Sequence, residues 1–131
     1  MSDLVSASGK PVKIPGPDHP ITLACHPVRV VVRAAGHVLA DSRNALVLQE
    51  AHYPPVFYFP REEVSMALLQ KNERVSYCPY KGDCSYFSLV LNGEQEANVA
   101  WSYEMPYNAV VAIKDYLAFY PDKVAEIRSE A

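Results

Sequence analysis

Ser85-Tyr86-Phe87-Ser88-Leu89-Val90-Leu91, then Asn92-Gly93, then Gln95-Glu96-Ala97-Asn98-Val99-Ala100-Trp101-Ser102 carry the clearest conformational signal in this chain. Two runs rich in β-branched, apolar and aromatic residues flank an Asn-Gly pair, and Asn-Gly suits the positive φ of a two-residue turn. The segment therefore reads as a β-hairpin. Upstream of it, Arg74-Val75-Ser76-Tyr77 reads as a short strand leading into the turn Cys78-Pro79-Tyr80-Lys81-Gly82. Downstream, Tyr107 to Lys114 predicts a short helix with Val110 and Ile113 facing inward. Leu117-Ala118-Phe119-Tyr120, Pro121-Asp122 and Lys123-Val124-Ala125-Glu126-Ile127 predict a closing hairpin.

The N-terminal half adds more strands. Arg29-Val30-Val31-Val32-Arg33 and Gly36-His37-Val38-Leu39-Ala40-Asp41 predict a hairpin turning at Ala34-Ala35. Ala45 to Glu50 and Val56-Phe57-Tyr58-Phe59 predict two further strands, parted by the Pro54-Pro55 break. Pro60-Arg61-Glu62-Glu63 predicts a helix of about ten residues, since proline suits the first helical turn and carboxylates favour the positive end of the dipole. Val64, Ala67 and Leu68 would then pack on the sheet. Residues 1–17, rich in proline and glycine, read as an extended arm with a mobile start, and residues 18–131 as a single domain. The fold class expected is mainly β (α+β), antiparallel, with one or two short helices.

A chain of 131 residues suits one core. Its formal net charge of -3 argues against a nucleic-acid surface, which carries a basic excess. No stretch approaches the roughly 18 apolar residues that span a bilayer, and the first residues lack the apolar centre of a signal peptide. The expectation is a cytoplasmic protein with no membrane partner. Three cysteines, Cys25, Cys78 and Cys84, are an odd number in a reducing compartment, so free thiols are expected rather than a disulfide. No dinucleotide or P-loop motif occurs, no C-x-x-C or H-x-x-x-H suggests zinc, and neither metal nor cofactor is expected.

Two short motifs concentrate the chemistry: Tyr77-Cys78-Pro79-Tyr80-Lys81-Gly82 and Trp101-Ser102-Tyr103-Glu104-Met105-Pro106. Cys78, three residues before Lys81, is the candidate nucleophile, because a nearby ammonium favours the thiolate. The alternative reading is a small buried hydrophobe at a strand end, since free cysteine is among the most buried residue types. Arg29, Arg43 and Lys81 would suit a phosphate or carboxylate ligand if they converged; otherwise each is a surface charge or a partner for Glu50, Glu62 or Glu63. Tyr80, Tyr86, Trp101 and Tyr103 would wall a pocket for a ring-shaped ligand, or form plain core. Strand alternation puts Trp101 and Tyr103 on one face and Ser102 on the other.

At these residues the chain resembles the domain-of-unknown-function family 427, which some collections label a nucleotidyltransferase domain. The resemblance runs through Arg29 to Val32, Gly36 to Arg43, Ala45 to Glu50, Pro54 to Val64, Cys78 to Gly82, Ser85-Tyr86, Ala100 to Tyr103, Pro106 and Ile113 to Val124, covering roughly residues 18–127. It implies a β-tent similar to the Mss4-like zinc domains, two twisted antiparallel sheets leaning over a cleft. The paired C-x-x-C ligands of the zinc-bearing relatives are absent here, and so is the clustered acidic pair that magnesium-dependent nucleotidyl transfer requires. Cys84 stands where many relatives have a small residue. The function expected is binding of a small anionic ligand, nucleotide or phosphate-containing, in a cleft between two sheets. Two alternatives stand beside it: an interaction or homodimerisation module, and a thiol-based redox sensor using Cys78 with Cys84.

Overall fold

The computed structural model describes residues 4–5 and 9–130. Its strands are β1 (Leu4–Val5), β2 (Pro11–Val12), β3 (Ile21–His26), β4 (Arg29–Ala34), β5 (His37–Ser42) and β6 (Ala45–Glu50). They continue as β7 (Val56–Tyr58), β8 (Leu69–Cys78), β9 (Gly82–Leu91), β10 (Glu94–Ser102), β11 (Ala118–Phe119) and β12 (Glu126–Glu130). All pairings are antiparallel, in the orders β11-β10-β9-β8, β12-β4-β5, β3-β6-β7 and β1-β2. The mainly β, antiparallel class read from the sequence holds.

The Asn92-Gly93 hairpin forms as expected, with both residues at positive φ (52° and 81°). The β4–β5 hairpin also forms, but its turn is Ala35-Gly36, one residue later than predicted, where both residues again have positive φ. β9 starts at Gly82 and β8 at Leu69, well before Arg74. The early part of β8, Gln70-Lys71-Asn72-Glu73, is polar because it runs along a sheet edge, where one side meets water.

Two predictions fail. The helix after Pro60 is replaced by two single 3-10 turns, Arg61–Glu63 and Met66–Leu68. Between them Val64 is extended and bridges Ala40, Ser65 N–H donates to Leu39 O (2.8 Å), and Ser65 Oγ donates to Val38 O (3.0 Å). The free edge of β5 therefore captures the residues that would have carried the second helical turn. The closing hairpin does not form either. Ala118–Phe119 joins β10 as β11, whereas Glu126–Glu130 joins β4 as β12, tied by Arg33–Glu126 and Arg29–Glu130 pairs. The helix predicted over 107–114 is a 3-10 segment, Asn108–Ile113, with Val110 and Ile113 fully buried as expected.

Phe59 and Leu117 exchange two backbone hydrogen bonds (2.8 and 2.9 Å), forming a seam where the β3-β6-β7 sheet meets the β8–β11 sheet. Alternation at this seam separates two cores. Phe59, Phe87, Leu117 and Phe119 join one apolar core with Val30, Val32 and Leu39. Tyr58, Tyr86 and Ala118, their chain neighbours, turn to the other side with Leu48, Cys84 and Tyr103. One face thus carries only apolar side chains, and the other carries hydroxyls.

The proline-rich arm lies on the first motif. Lys13 N–H donates to Pro79 O (3.0 Å) and the Tyr77 hydroxyl to Pro11 O (2.7 Å). The predicted mobile start falls largely on residues outside those described. No helix among the described residues is long and apolar enough to cross a membrane.

Candidate functional site

The β8–β9 turn places Tyr80 and Lys81. Lys81 N–H donates to Cys78 O (3.2 Å), and Gly82 follows at φ +105°, a conformation open to glycine and costly for other residues. A side chain at Gly82 would also come within 3.4 Å of Met105 O. Tyr107 N–H donates to Lys81 O (3.1 Å), so the Met105–Tyr107 segment backs directly onto this turn. The two motifs of the sequence are therefore packed together. Trp101 and Tyr103 share a face, as alternation predicted, while Ser102 turns away and accepts a bond from Arg61 Nη2 (3.2 Å).

Between the β6–β7 face and the β9–β10 face lies a cavity of about 210 Å³. Leu48, Val56 and Tyr58 line one side; Cys84, Tyr86, Trp101 and Tyr103 line the other; Tyr53, Pro54 and Tyr120 complete the lining. Glu50 and Lys81 are its charged lining groups. The Lys81 ammonium is bonded to Glu50 Oε1, and Glu50 Oε2 meets His19 Nε2 at 2.7 Å. The His19 ring in turn stacks on Tyr80, with centroids 4.1 Å apart and planes 9° apart. Lys81 Nζ also stands 5.6 Å from the centre of the Tyr103 ring. Tyr80 and Lys81 thus hold the Glu50–His19 pair from two sides.

Burial works to raise the Glu50 pKa, but the hydrogen bonds and charges of Lys81 and His19 outweigh it and hold the carboxyl below its ordinary range. Burial pushes the Tyr58 and Tyr103 phenols strongly upward, so both stay protonated donors. Burial also raises the Cys84 thiol, against hydrogen bonding from Tyr86, Ser76 and Tyr103. The Trp101 indole donates to the Tyr58 hydroxyl (3.2 Å), which fixes the edge-on packing of these rings.

Of the residues singled out from the sequence, Lys81, Tyr86, Trp101 and Tyr103 meet at this cavity. Tyr80 sits beside it, on His19. Arg29 and Arg43 do not line it. Arg29 is clasped by Asp41 (2.8 Å twice) and Glu130 (3.2 Å), the ordinary surface-pair alternative, and Arg43 is exposed near Asp41. Lys81 likewise has a carboxylate partner, Glu50, rather than standing alone. Cys78 is half-buried and packs beside the cavity's core, whereas Cys84 lines the cavity; both thiols are free. The sequence reading missed His19 and Tyr58; it named Glu50 only as the alternative carboxylate partner of the cations, which is its role toward Lys81. The one local signal was Tyr58, a hydroxyl-bearing residue in the otherwise apolar run Val56-Phe57-Tyr58-Phe59.

Among the described residues no group of three or more His, Cys, Asp or Glu gathers in a way that would hold a metal ion. A protein-family model described as a domain of unknown function (DUF427) and labelled NTP_transf_9 matches residues 22–130. No curated protein matches the chain.

Proposed function

The chain belongs to the family described as a domain of unknown function (DUF427), and we propose that this domain binds a small ring-shaped anion in the hollow between its β3-β6-β7 and β8–β11 sheets. The observation that carries this reading is a buried ammonium, Lys81, paired with Glu50 on the wall of a cavity lined mainly by aromatic rings and aliphatic side chains. An ammonium has three N–H donors. One goes to Glu50, and the others are available to an oxyanion entering the cavity. Trp101, Tyr86 and Tyr103 supply flat apolar faces and phenolic edges for a ring.

Volume narrows the ligand. An apolar cavity of about 150 Å³ accepts benzene, and drug-sized ligands occupy about 300–1,000 Å³. The cavity here, about 210 Å³, suits one ring with one charged substituent better than a whole nucleotide. The reading is one of binding, and assigns no bond-making step.

Thermal unfolding with benzoate, phenyl phosphate and neutral benzamide tests it. A ligand present at about 100 times its Kd stabilises by about 2.7 kcal/mol, which moves Tm by several degrees. At least one of the two anions is expected to raise the Tm of the wild type, benzamide less so, and Lys81→Met to abolish the anion's effect. If neither anion shifts Tm at millimolar concentration, the reading is wrong.

A further inference from the structure

Resting on that reading, we infer that the hollow takes a monoanionic ring acid, a carboxylate rather than a phosphate dianion, and takes it together with one proton on His19. The argument is charge balance in a poorly hydrated site. Lys81 and Glu50 are both largely shielded from water, with side chains 10 % and 15 % exposed, and together they sum to zero. An anion added to this neutral pair would leave one negative charge uncompensated among aromatic rings, which is costly in a low-dielectric site. His19, bonded to the far oxygen of Glu50 at 2.7 Å, is the group that removes the imbalance.

Protonated His19 takes a larger share of the Glu50 carboxylate and leaves more of the Lys81 ammonium to the ligand. The three groups then sum to +1, matching one carboxylate. A phosphate monoester carries a charge of about -1.5 to -2 above its second ionisation near pH 6. It would exceed what the site can neutralise.

Tyr58, whose phenol interacts electrostatically with Glu50, and Cys84 line the same cavity, and burial favours the protonated form of both. His19 faces Glu50 from β6 and the Tyr80 ring from the β8–β9 turn, with Asp18 its neighbour along the chain. Glu50 faces Lys81 and His19, and Lys81 faces Glu50 and the Tyr103 ring. Burial keeps the Tyr103 phenol protonated. His19 is the remaining titratable group bonded to this pair, and the proton taken up with the ligand is assigned to it.

Isothermal titration of the full chain with benzoate and phenyl phosphate supplies the test. Benzoate is fully ionised at and above neutrality, so its own titration does not intrude. Between about pH 7 and pH 8.5, uptake of one proton with the ligand is expected to make benzoate affinity fall about tenfold per pH unit. In buffers of different ionisation enthalpy, binding is expected to take up about one proton. His19→Gln should abolish both effects and leave binding weak throughout. Glu50→Gln, which removes the negative charge, should bind benzoate tightly at pH 8.5 with no pH slope. Phenyl phosphate should bind the wild type at least tenfold more weakly than benzoate at pH 7.5. Equal or tighter phosphate binding, or a flat pH profile with no proton uptake, would overturn this inference and leave the proposed function standing. Failure of both compounds to bind would instead remove the proposed function.

Discussion

Replacing Lys81 by methionine should destabilise the domain by about 2–3 kcal/mol, independently of any ligand. Methionine preserves most of the aliphatic stem, so lost packing contributes little. What remains is Glu50, 15 % exposed, without its ammonium. Removing one partner of a fully buried pair costs about 3–5 kcal/mol, and an exposed pair is worth at most about 1 kcal/mol. Glu50 here keeps its His19 bond and some water, which places the cost between those limits. In urea, with a slope of about 1–3 kcal/mol/M, the midpoint should fall by roughly 1–2 M. Adding Glu50→Gln to Lys81→Met removes the orphaned charge and should restore about 1–2 kcal/mol of the loss.

The pH dependence carries a definite sign. Because the folded state lowers the Glu50 pKa from its ordinary 4.5, the carboxylate contributes stability above that value. The contribution disappears as pH falls below 4.5 and through the folded value. The gap between wild type and Lys81→Met should therefore close on acidification, since a neutral Glu50 no longer needs the ammonium. A Lys81→Met variant within about 0.5 kcal/mol of the wild type at neutral pH, or a gap that widens toward acid, would refute the reasoning.

Gly82→Ala combines a φ of +105° with a 3.4 Å approach to Met105 O, and should cost about 1–3 kcal/mol by denaturation while loosening the Lys81 turn. Phe59→Ala empties the seam between the sheets, where Phe59 is fully buried and packs edge-on to Phe119; a loss of about 3–5 kcal/mol is expected from the urea midpoint. The thiols should react with iodoacetamide in the order Cys25, Cys78, Cys84, followed by peptide mass spectrometry, since they are exposed, half-buried and buried in turn. Burial also holds the Cys84 thiol protonated, so labelling of Cys84 ahead of Cys25 would contradict the placement of the cavity wall.

Some elements could be read one by one from the chain because their causes are local. Asn92-Gly93 adopts positive φ wherever two extended runs flank it, and Trp101 and Tyr103 share a face because strand side chains alternate. The helix after Pro60 was misread for a complementary reason. Its N-terminal signals are genuine, and a 3-10 turn does form over Arg61–Glu63, but the open edge of β5 offers Val64 and Ser65 hydrogen bonds that a lone helix cannot match. The same competition split the supposed closing hairpin between two sheets.

Period-two patterning, turn chemistry and composition thus establish a mainly β chain and the two motifs that carry its polar aromatics, since each depends on residues a few positions apart. The cavity depends on contacts of another kind. His19 to Glu50 and Glu50 to Lys81 each span 31 residues, and Arg29 to Glu130 spans 101. Whether a lysine meets a carboxylate or open water, and whether an arginine faces a pocket or a neighbouring strand, follows from which sheet folds over which. Nothing in the spacing of charges along the chain encodes that choice, because burial and pairing exist only once the strands have met.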